Sequence, residues 1–340
     1  MIKVNNSCEK RVFHLTEKEK ELDFVSYKKE IIKAIYHKNY RKLNTLKLNS
    51  YNDQFSVFIF HDKIINNINS MSNSNLKIKL LQLNWFEVLI GSIEDIRKLI
   101  RDNKFLIINT EYKKNNTKFK EYKKRFEKLY NELSGNDNLK KQFFKLFEDL
   151  NVCPYCNRNF INPIYKEEVV EKGEDYEKWS PDIEHFFPKS IYPFLSLSIS
   201  NLLPSCTFCN KIKHTIDTYK HNCLSPYEIK NSDFRFDFTL KSERLKRVKL
   251  VSKTGCKNSE ILHLEPLYNE VHSKYINDIF ENDLKYTQKN KDFLDKFKIL
   301  TEDDYKKIFR NYYKEEDFNK HPLSKMTKDL YNQITNLKSK

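Results

Sequence analysis

The chain has 340 residues, with 62 Lys and Arg against 47 Asp and Glu, and its formal net charge is +15. This surplus makes a polyanion the first partner to consider. Only 4 Gly and 9 Pro argue against collagen-like and glycine-rich dinucleotide-binding architectures. No apolar run approaches the ~18 residues that a membrane span needs, and the first ten residues are too polar for a signal peptide. We therefore expect a cytoplasmic protein without a membrane partner.

The N-terminal part of the chain is predicted to be mostly helical. Thr16 and Glu19 form a capping-box pattern ahead of an apolar helical stripe. Phe55–Phe60 is a short apolar run that fits a buried strand or a helix, and periodicity alone does not decide. Helices are then predicted over Leu76–Ile90 and from Ser92 onward.

Two further helices, Lys118–Leu133 and Leu139–Leu150, are expected on either side of a break at Ser134-Gly135-Asn136. The stretch Lys113–Lys128 interleaves Lys and Arg with aromatic residues at helical spacing. This pattern fits a basic helix against a nucleic-acid backbone. It fits equally well an amphipathic helix with a solvated face, so both interpretations stay open.

The residue composition changes at Asn151. Cys, Pro and His residues are concentrated from there on, and helical periodicity is lost until about Thr207. Phe234–Leu240 and Arg244–Val251 then alternate like the two strands of a hairpin. Amphipathic helices follow from Asn258. We therefore predict an α+β chain with helical regions on both sides of a different central part.

The positive charge lies outside that central part. Residues 1–150 hold 30 Lys and Arg against 19 Asp and Glu, residues 151–230 hold 9 against 10, and residues 231–340 hold 23 against 18. We predict domain boundaries at these limits: a basic helical N-terminal region, a core, and a β-hairpin followed by a helical C-terminal region. The N-terminal and C-terminal regions, which we call the flanks, are therefore the better candidates for binding a polyanion.

The strongest motif is a pair of Cys-x-x-Cys knuckles formed by Cys153 and Cys156, and by Cys206 and Cys209. Four thiolates complete a tetrahedral zinc shell and leave no open position, which predicts a structural Zn²⁺ site. Seven cysteines without a secretory signal favour metal binding in a reducing compartment. The alternative is a set of four buried or redox-active cysteines.

Between the knuckles lie residues suited to phosphodiester hydrolysis. Glu184 and Asn210 offer the carboxylate and amide oxygens that a hard cation such as Mg²⁺ prefers. His185 points away from Glu184 if both lie on a strand, and it can serve as a general base. Asp182 shares a strand face with Glu184 and is a further ligand candidate. The cation would polarise the phosphate and stabilise the leaving 3′ oxygen.

Each of these residues also has a structural interpretation. A lone His at a strand end is usually structural, and Asn210 fits a solvent-facing position on the first turn of a helix. Asn201 fits a turn in the chain. Lys189 and Lys213 fit phosphate contacts, but surface lysines are common in this sequence.

The motifs together carry a resemblance. Cys-Pro-Tyr-Cys from Cys153, Ile-Glu-His-Phe-Phe-Pro-Lys-Ser from Ile183 and Asn-Leu-Leu-Pro-Ser-Cys-Thr-Phe-Cys-Asn from Asn201 occur in that order. They resemble the HNH endonucleases with a zinc-stapled ββα-metal (His-Me finger) fold. More narrowly, they resemble the nucleases of the Septu (PtuB-type) and retron-associated anti-phage systems. The resemblance covers about residues 150–228.

The resemblance implies roles for individual residues. His185 would be the general base, Glu184 and Asn210 the ligands of a catalytic Mg²⁺ or Mn²⁺, and Asn201 the residue that fixes the loop. Many members carry Asp at the position of Glu184 and His at that of Asn210, and related nucleases often carry Gly where His214 stands. These departures leave the metal preference open.

The resemblance also implies a function. We expect a metal-dependent endonuclease that hydrolyses phosphodiester bonds, with double-stranded DNA as the expected substrate. A role in phage defence beside an ABC-type ATPase partner follows from the same resemblance. Two alternatives remain: a catalytically inactive zinc-stabilised module that binds nucleic acid, and an RNase effector.

Overall fold

The computed structural model describes residues 57–147, 149–164, 180–240, 246–252, 255–285 and 313–338. The predicted capping box at Thr16 and Glu19 lies outside these residues. The helices before the knuckles are α1 (Val57–Asn69), α2 (Ser74–Leu81), α3 (Trp85–Ile90), α4 (Ile93–Asp102), α5 (Glu111–Asn115), α6 (Thr117–Gly135) and α7 (Asp137–Lys145). Strands β1 (Asp182–His185) and β2 (Leu202–Ser205) and helix α8 (Thr207–Lys213) follow.

The C-terminal part contains a hairpin and helices. Its elements are β3 (Phe234–Leu240), β4 (Lys246–Ser252), α9 (Asn258–Ile261), α10 (Leu264–Val271), α11 (Ser273–Lys285) and α12 (Ser324–Lys338). Strands β1 and β2 form one two-stranded antiparallel sheet, and β3 and β4 form another. The predicted α+β class and the predicted hairpin are therefore confirmed. Within the described ranges, no helix has the length and apolar character needed to span a membrane.

Local polar caps set the helix boundaries in the N-terminal part. Ser92 caps α4, so the helix begins where the sequence predicted, and Ser92 also forms a capping box with Asp95. The prediction of one helix over Leu76–Ile90 is wrong, because Asn84 adopts an extended backbone and its side chain accepts the Glu87 backbone N–H to start a new helix. The run at Phe55–Phe60, left open above, belongs to α1 from Val57 onward.

Helix α6 connects the N-terminal part to the central sheet. Its buried stripe consists of Phe119, Tyr122, Phe126, Leu129, Tyr130 and Leu133. Two tyrosines of this stripe also bond the chain between the knuckles. Tyr122 Oη accepts the Phe194 backbone N–H at 3.1 Å, and Tyr130 Oη donates to the Ile183 carbonyl at 2.8 Å. One face of α6 therefore forms a wall beside strand β1.

Residues of the C-terminal part form hydrogen bonds with the chain around the first knuckle. The Asn319 carbonyl accepts the backbone N–H groups of Asn151 and Val152, and the Asn157 side chain donates to the Phe318 carbonyl at 2.9 Å. Buried residues from Phe60 to Ile334 belong to one hydrophobic core. The division into three domains stays a prediction.

Candidate functional site

The four knuckle cysteines lie together, as their spacing predicted. The Sγ atoms of Cys153, Cys156, Cys206 and Cys209 lie within 4.8 Å of one another, and all four side chains are buried. A tetrahedron with Zn–S bonds of ~2.3 Å has S–S edges of about 3.8 Å. The Cys156 and Cys206 sulfurs are 3.9 Å apart. The cluster therefore fits a metal ion such as zinc in both donor chemistry and size.

The acidic strand and the helix after the second knuckle meet at one place. Asp182 pairs with Ser205 at the end of the sheet that leads into Cys206, and α8 begins at the next residue. This connection brings the first turn of α8 back beside β1. Asn210 Nδ2 donates to Asp182 Oδ2 at 3.0 Å, and both residues are half-buried. The pair leaves the Asn210 amide oxygen and the second Asp182 oxygen without a partner among the described residues.

Glu184 lies behind this pair and is only 3% exposed. One of its oxygens accepts the Tyr155 hydroxyl at 2.8 Å, and the other lies 2.6 Å from Lys213 Nζ. Lys213 is 1% exposed and also donates to the His185 carbonyl at 2.8 Å. Its ammonium is therefore bound inside the protein, and the phosphate contact suggested for it from the sequence is not available.

Tyr155 connects the metal cluster to this network. It stands between Cys153 and Cys156 in the first knuckle, and its side chain is almost fully buried. Burial and the nearby Glu184 carboxylate raise the pKa of Tyr155 well above 10. The hydroxyl therefore stays protonated and donates a hydrogen bond to Glu184. A shift of the knuckle would therefore move a hydrogen-bond donor of Glu184.

His185 is held in one orientation at the end of β1. Its Nε2 lies 3.0 Å from the Ser196 carbonyl, and the Tyr130 ring packs edge-on against the imidazole with centroids 4.4 Å apart. A carbonyl only accepts, so Nε2 carries the proton and Nδ1 keeps a free lone pair. Burial, reinforced by the Lys189 charge, lowers the pKa of His185 from 6.5 to about 3, which keeps the imidazole neutral.

Asn201 fixes the loop between the strands. Its side-chain oxygen accepts the Phe187 backbone N–H at 2.7 Å, and its amide donates to the carbonyls of Phe187 and Leu195, both at 3.1 Å. The side chain is fully buried. These three bonds set the course of the chain directly after His185.

A cavity of about 590 Å³ opens beside these residues. We call it the central cavity; Asp182, Glu184, His185 and Asn210 all line it. Its lysines are Lys123, Lys140, Lys189 and Lys211. The structure thus brings Glu184, His185 and Asn210 to one cavity, as predicted, whereas Asn201 is buried and does not line that cavity.

Two wall residues show features that were not predicted, although the glycine that related nucleases often carry at the position of His214 is a signal for the first of them. His214 ends α8 with φ at 44° and ψ at −121°, a conformation that glycine adopts without strain. Lys189 Nζ lies 3.9 Å from the Tyr130 ring centre, and burial lowers the pKa of this lysine. Tyr130 was not singled out in the sequence, and no local pattern indicates its contacts with His185 and the Ile183 carbonyl.

The chain is similar to two curated proteins over less than half of its own length. It is 34% identical to the Septu protein PtuB of Bacillus thuringiensis over 148 residues, which make up 42% of this chain and 49% of PtuB. It is 27% identical to YydD, an uncharacterized protein of Bacillus subtilis strain 168, over 157 residues, or 45% of this chain and 24% of YydD.

The matched region thus covers about half of PtuB and about a quarter of YydD. No family model matches the chain, and no solved structure matches it. The chain is therefore related to a Septu protein, PtuB, across a limited part of its length.

Proposed function

We propose that the protein is a metal-dependent HNH endonuclease, with DNA as its substrate, and that it acts in defence against phage. The proposal depends on one observation: His185, Asp182 and Asn210 line the same cavity, and a buried cluster of four cysteines lies nearby. A strand pair followed directly by a helix supplies all three residues. This order of elements is the one expected of a ββα-metal core.

His185 is arranged to accept a proton from water. The Ser196 carbonyl holds the Nε2 proton, so the Nδ1 lone pair of the neutral imidazole is the acceptor. Asn201 fixes the backbone that follows. A base that is neutral and held in place by contacts on two sides is ready for water activation without rearrangement.

The cation site is proposed at the cavity wall, where Asn210 and Asp182 present oxygen atoms and Glu184 lies behind them. A bound Mg²⁺ or Mn²⁺ would supply charge neutralisation on the scissile phosphate and the leaving 3′ oxygen. The Glu184 carboxylate is already balanced by Lys213 and bonded by Tyr155. Asp182 therefore ranks beside Glu184 as the carboxylate ligand.

The cysteine cluster is proposed to hold a structural Zn²⁺. All four sulfurs are needed to complete the shell, so the ion has no open position for water or substrate. Its role would be to fix the two knuckles, and with them the Tyr155 hydroxyl and the start of α8.

The similarity to a Septu protein supports the biological part of the proposal. We propose that the chain is the nuclease of such a system and works with an ABC-type ATPase partner. The helical flanks are the expected docking region for that partner, because the catalytic motifs all fall within residues 151–230.

A second function has support from one observation. Both Glu184 oxygens are engaged by Tyr155 and Lys213, which would leave the site short of one cation ligand. A protein that binds nucleic acid at this cavity without cutting it would have the same geometry. An RNase would use the same groups as a DNase, so the polymer has to be tested directly.

The test is cleavage of plasmid DNA and of structured RNA with Mg²⁺ or Mn²⁺, with a chelator arm. We expect cleavage by the wild type and a fall of about 10²–10⁴-fold in rate for His185→Gln, because the general base is lost. His221→Gln is the matched control, since His221 lines none of the described cavities near the site.

Asp182→Asn and Glu184→Gln separate the two carboxylates. The variant of the carboxylate that binds the cation should require more Mn²⁺ for half-maximal cleavage. The variant of the other carboxylate should change mainly the free energy of unfolding. If the wild type and His185→Gln leave both polymers equally intact in either metal, the nuclease proposal is wrong and the binding function takes its place.

A further inference from the structure

Two more cavities lie beyond the central cavity, and the nearer of them is lined by residues of α6. A second cavity of about 390 Å³ shares Lys123 and Ser190 with the central one. A third, of about 450 Å³, shares Ile108 and Ile191 with the second. Because neighbouring cavities share wall residues, the three lie side by side in a row that starts at the candidate catalytic residues, and we call this row the groove.

The groove beyond the central cavity is strongly basic. The second cavity is lined by Lys113, Lys114, Lys120 and Lys123, and no Asp or Glu of the described residues lines it. The third cavity adds Arg101, Lys104 and Lys220 against one acidic residue, Asp217. That aspartate accepts the Tyr192 hydroxyl at 2.7 Å. Positive charge therefore dominates both outer cavities.

The rim lysines differ in how firmly they are held. Lys113 donates to three backbone carbonyls and has a structural role. Lys114 pairs with Glu111 at 2.7 Å and Lys123 with Glu127 at 3.6 Å, and these exposed pairs contribute little to stability. A phosphate group can therefore replace the glutamate as the partner of Lys114 or Lys123 at a small cost in free energy. It can also contact the exposed Lys120.

We infer that this groove is the path of a nucleic-acid backbone into the central cavity. We define the basic track as its floor of Ile108, Phe119 and Ile191 and its rim of Lys114, Lys120 and Lys123. Lysines bind phosphates as point charges and do not read base edges, so the track grips the polymer without regard to sequence. The inference rests on the proposed nuclease function and specifies which surface holds its substrate.

Helix α6 provides an internal control because its lysines lie on two faces. Lys120 and Lys123 belong to the track, whereas Lys118, Lys124 and Lys128 are exposed and line none of the three cavities. Removing three lysines from either set changes the net charge equally. A general attraction between a basic protein and a polyanion would be weakened equally by both changes.

The experiment measures binding in the His185→Gln background, so that cleavage is not needed. The track variant carries Lys114→Ala, Lys120→Ala and Lys123→Ala, and the control carries Lys118→Ala, Lys124→Ala and Lys128→Ala. Fluorescent DNA and RNA of about 30 nucleotides, single-stranded and duplex, are titrated between about 50 and 200 mM salt. Thermal melting of each variant confirms folding.

We expect the track variant to raise Kd at least tenfold and to reduce the slope of log K against log salt by about 2–3, since each phosphate contact contributes about 0.7–0.9. The control should change the slope by less than one. DNA and RNA arms show which polymer the track prefers. Equal effects of the two variants, or equal competition by poly-glutamate, would overturn the inference.

Failure of this inference is distinguishable from failure of the proposed function. If the wild type cuts nucleic acid but the track and control variants bind alike, the nuclease stands and the track is wrong. If nothing is cut but the track variant alone loses binding, the surface is correct and the protein is a binding module.

Discussion

Lys213 and Glu184 form an ion pair of 2.6 Å in which both side chains are almost completely buried. The pair lies between the cysteine cluster and the central cavity, because Glu184 also accepts the Tyr155 hydroxyl and Lys213 also bonds the His185 carbonyl. A chain of polar contacts from the first knuckle to the backbone of the candidate base therefore passes through these two residues. Breaking the pair should affect stability first.

We predict that Lys213→Met lowers the free energy of unfolding by about 3–5 kcal/mol, because it leaves the Glu184 carboxylate buried without its counter-charge. The double variant Glu184→Gln with Lys213→Met should recover part of the loss, since no charge then remains inside. Urea denaturation of the two variants beside the wild type measures both effects.

Lys211→Met is the control for that prediction, since Lys211 is exposed on the same helix. Its unfolding free energy should stay within about 0.5 kcal/mol of the wild type. A Lys213→Met protein as stable as Lys211→Met would show that the buried pair is not formed.

The sequence predicted which residues lie together better than it predicted the residues that support them. The cysteine spacing and the polar residues around His185 are local patterns, and the cluster and the cavity brought them together as expected. Tyr130 and Tyr155 were not predicted as supports, because their partners lie 53 and 29 residues away in the chain. No local pattern indicates which groups their hydroxyls bond.

The one helix that was placed wrongly has a similar explanation. An apolar run over Leu76–Ile90 favours a continuous helix, yet the Asn84 side chain offers the backbone a better start for a second one. The buried ion pair of Lys213 depends on how α8 folds back onto β1, which a linear pattern does not contain.

We predict an acid-dependent loss of stability that depends on His185. Its pKa is about 3 in the folded protein and ordinarily 6.5, so the unfolded chain binds the proton first as the pH falls. The contribution is fully present above pH 6.5 and declines from there toward pH 3. Between about pH 6.5 and 5 the wild type should lose about 1.5 kcal/mol more than His185→Gln.

Guanidinium denaturation of both proteins at several pH values gives that difference directly, and other titrating groups cancel in it. Parallel stability curves for the two proteins over this pH range would mean that the imidazole is solvated and not held at the Ser196 carbonyl.

Asn201→Ala is predicted to lower the free energy of unfolding by about 3 kcal/mol. The change leaves the buried Phe187 N–H and two carbonyls without their side-chain partner. Asn201→Asp keeps the acceptor for the Phe187 N–H but loses both donations, so it should not restore the wild-type value. Asn131→Ala, at an exposed position of α6 outside the network, should change the free energy of unfolding by less than about 0.5 kcal/mol in the same denaturation experiment. Equal losses for Asn201→Ala and Asn131→Ala would contradict a loop-fixing role.

The cysteine cluster makes a prediction about metal content. Purified protein should contain about one zinc per chain, and Cys206→Ser with Cys209→Ser should contain far less, because two of four thiolates are gone. Loss of the ion should lower the melting temperature by roughly 10 °C or more, since metal binding contributes to folding. Cys223→Ser changes a buried cysteine outside the cluster and should keep the metal. Elemental analysis of the three proteins decides the matter: equal zinc in the double variant and the wild type would exclude this site.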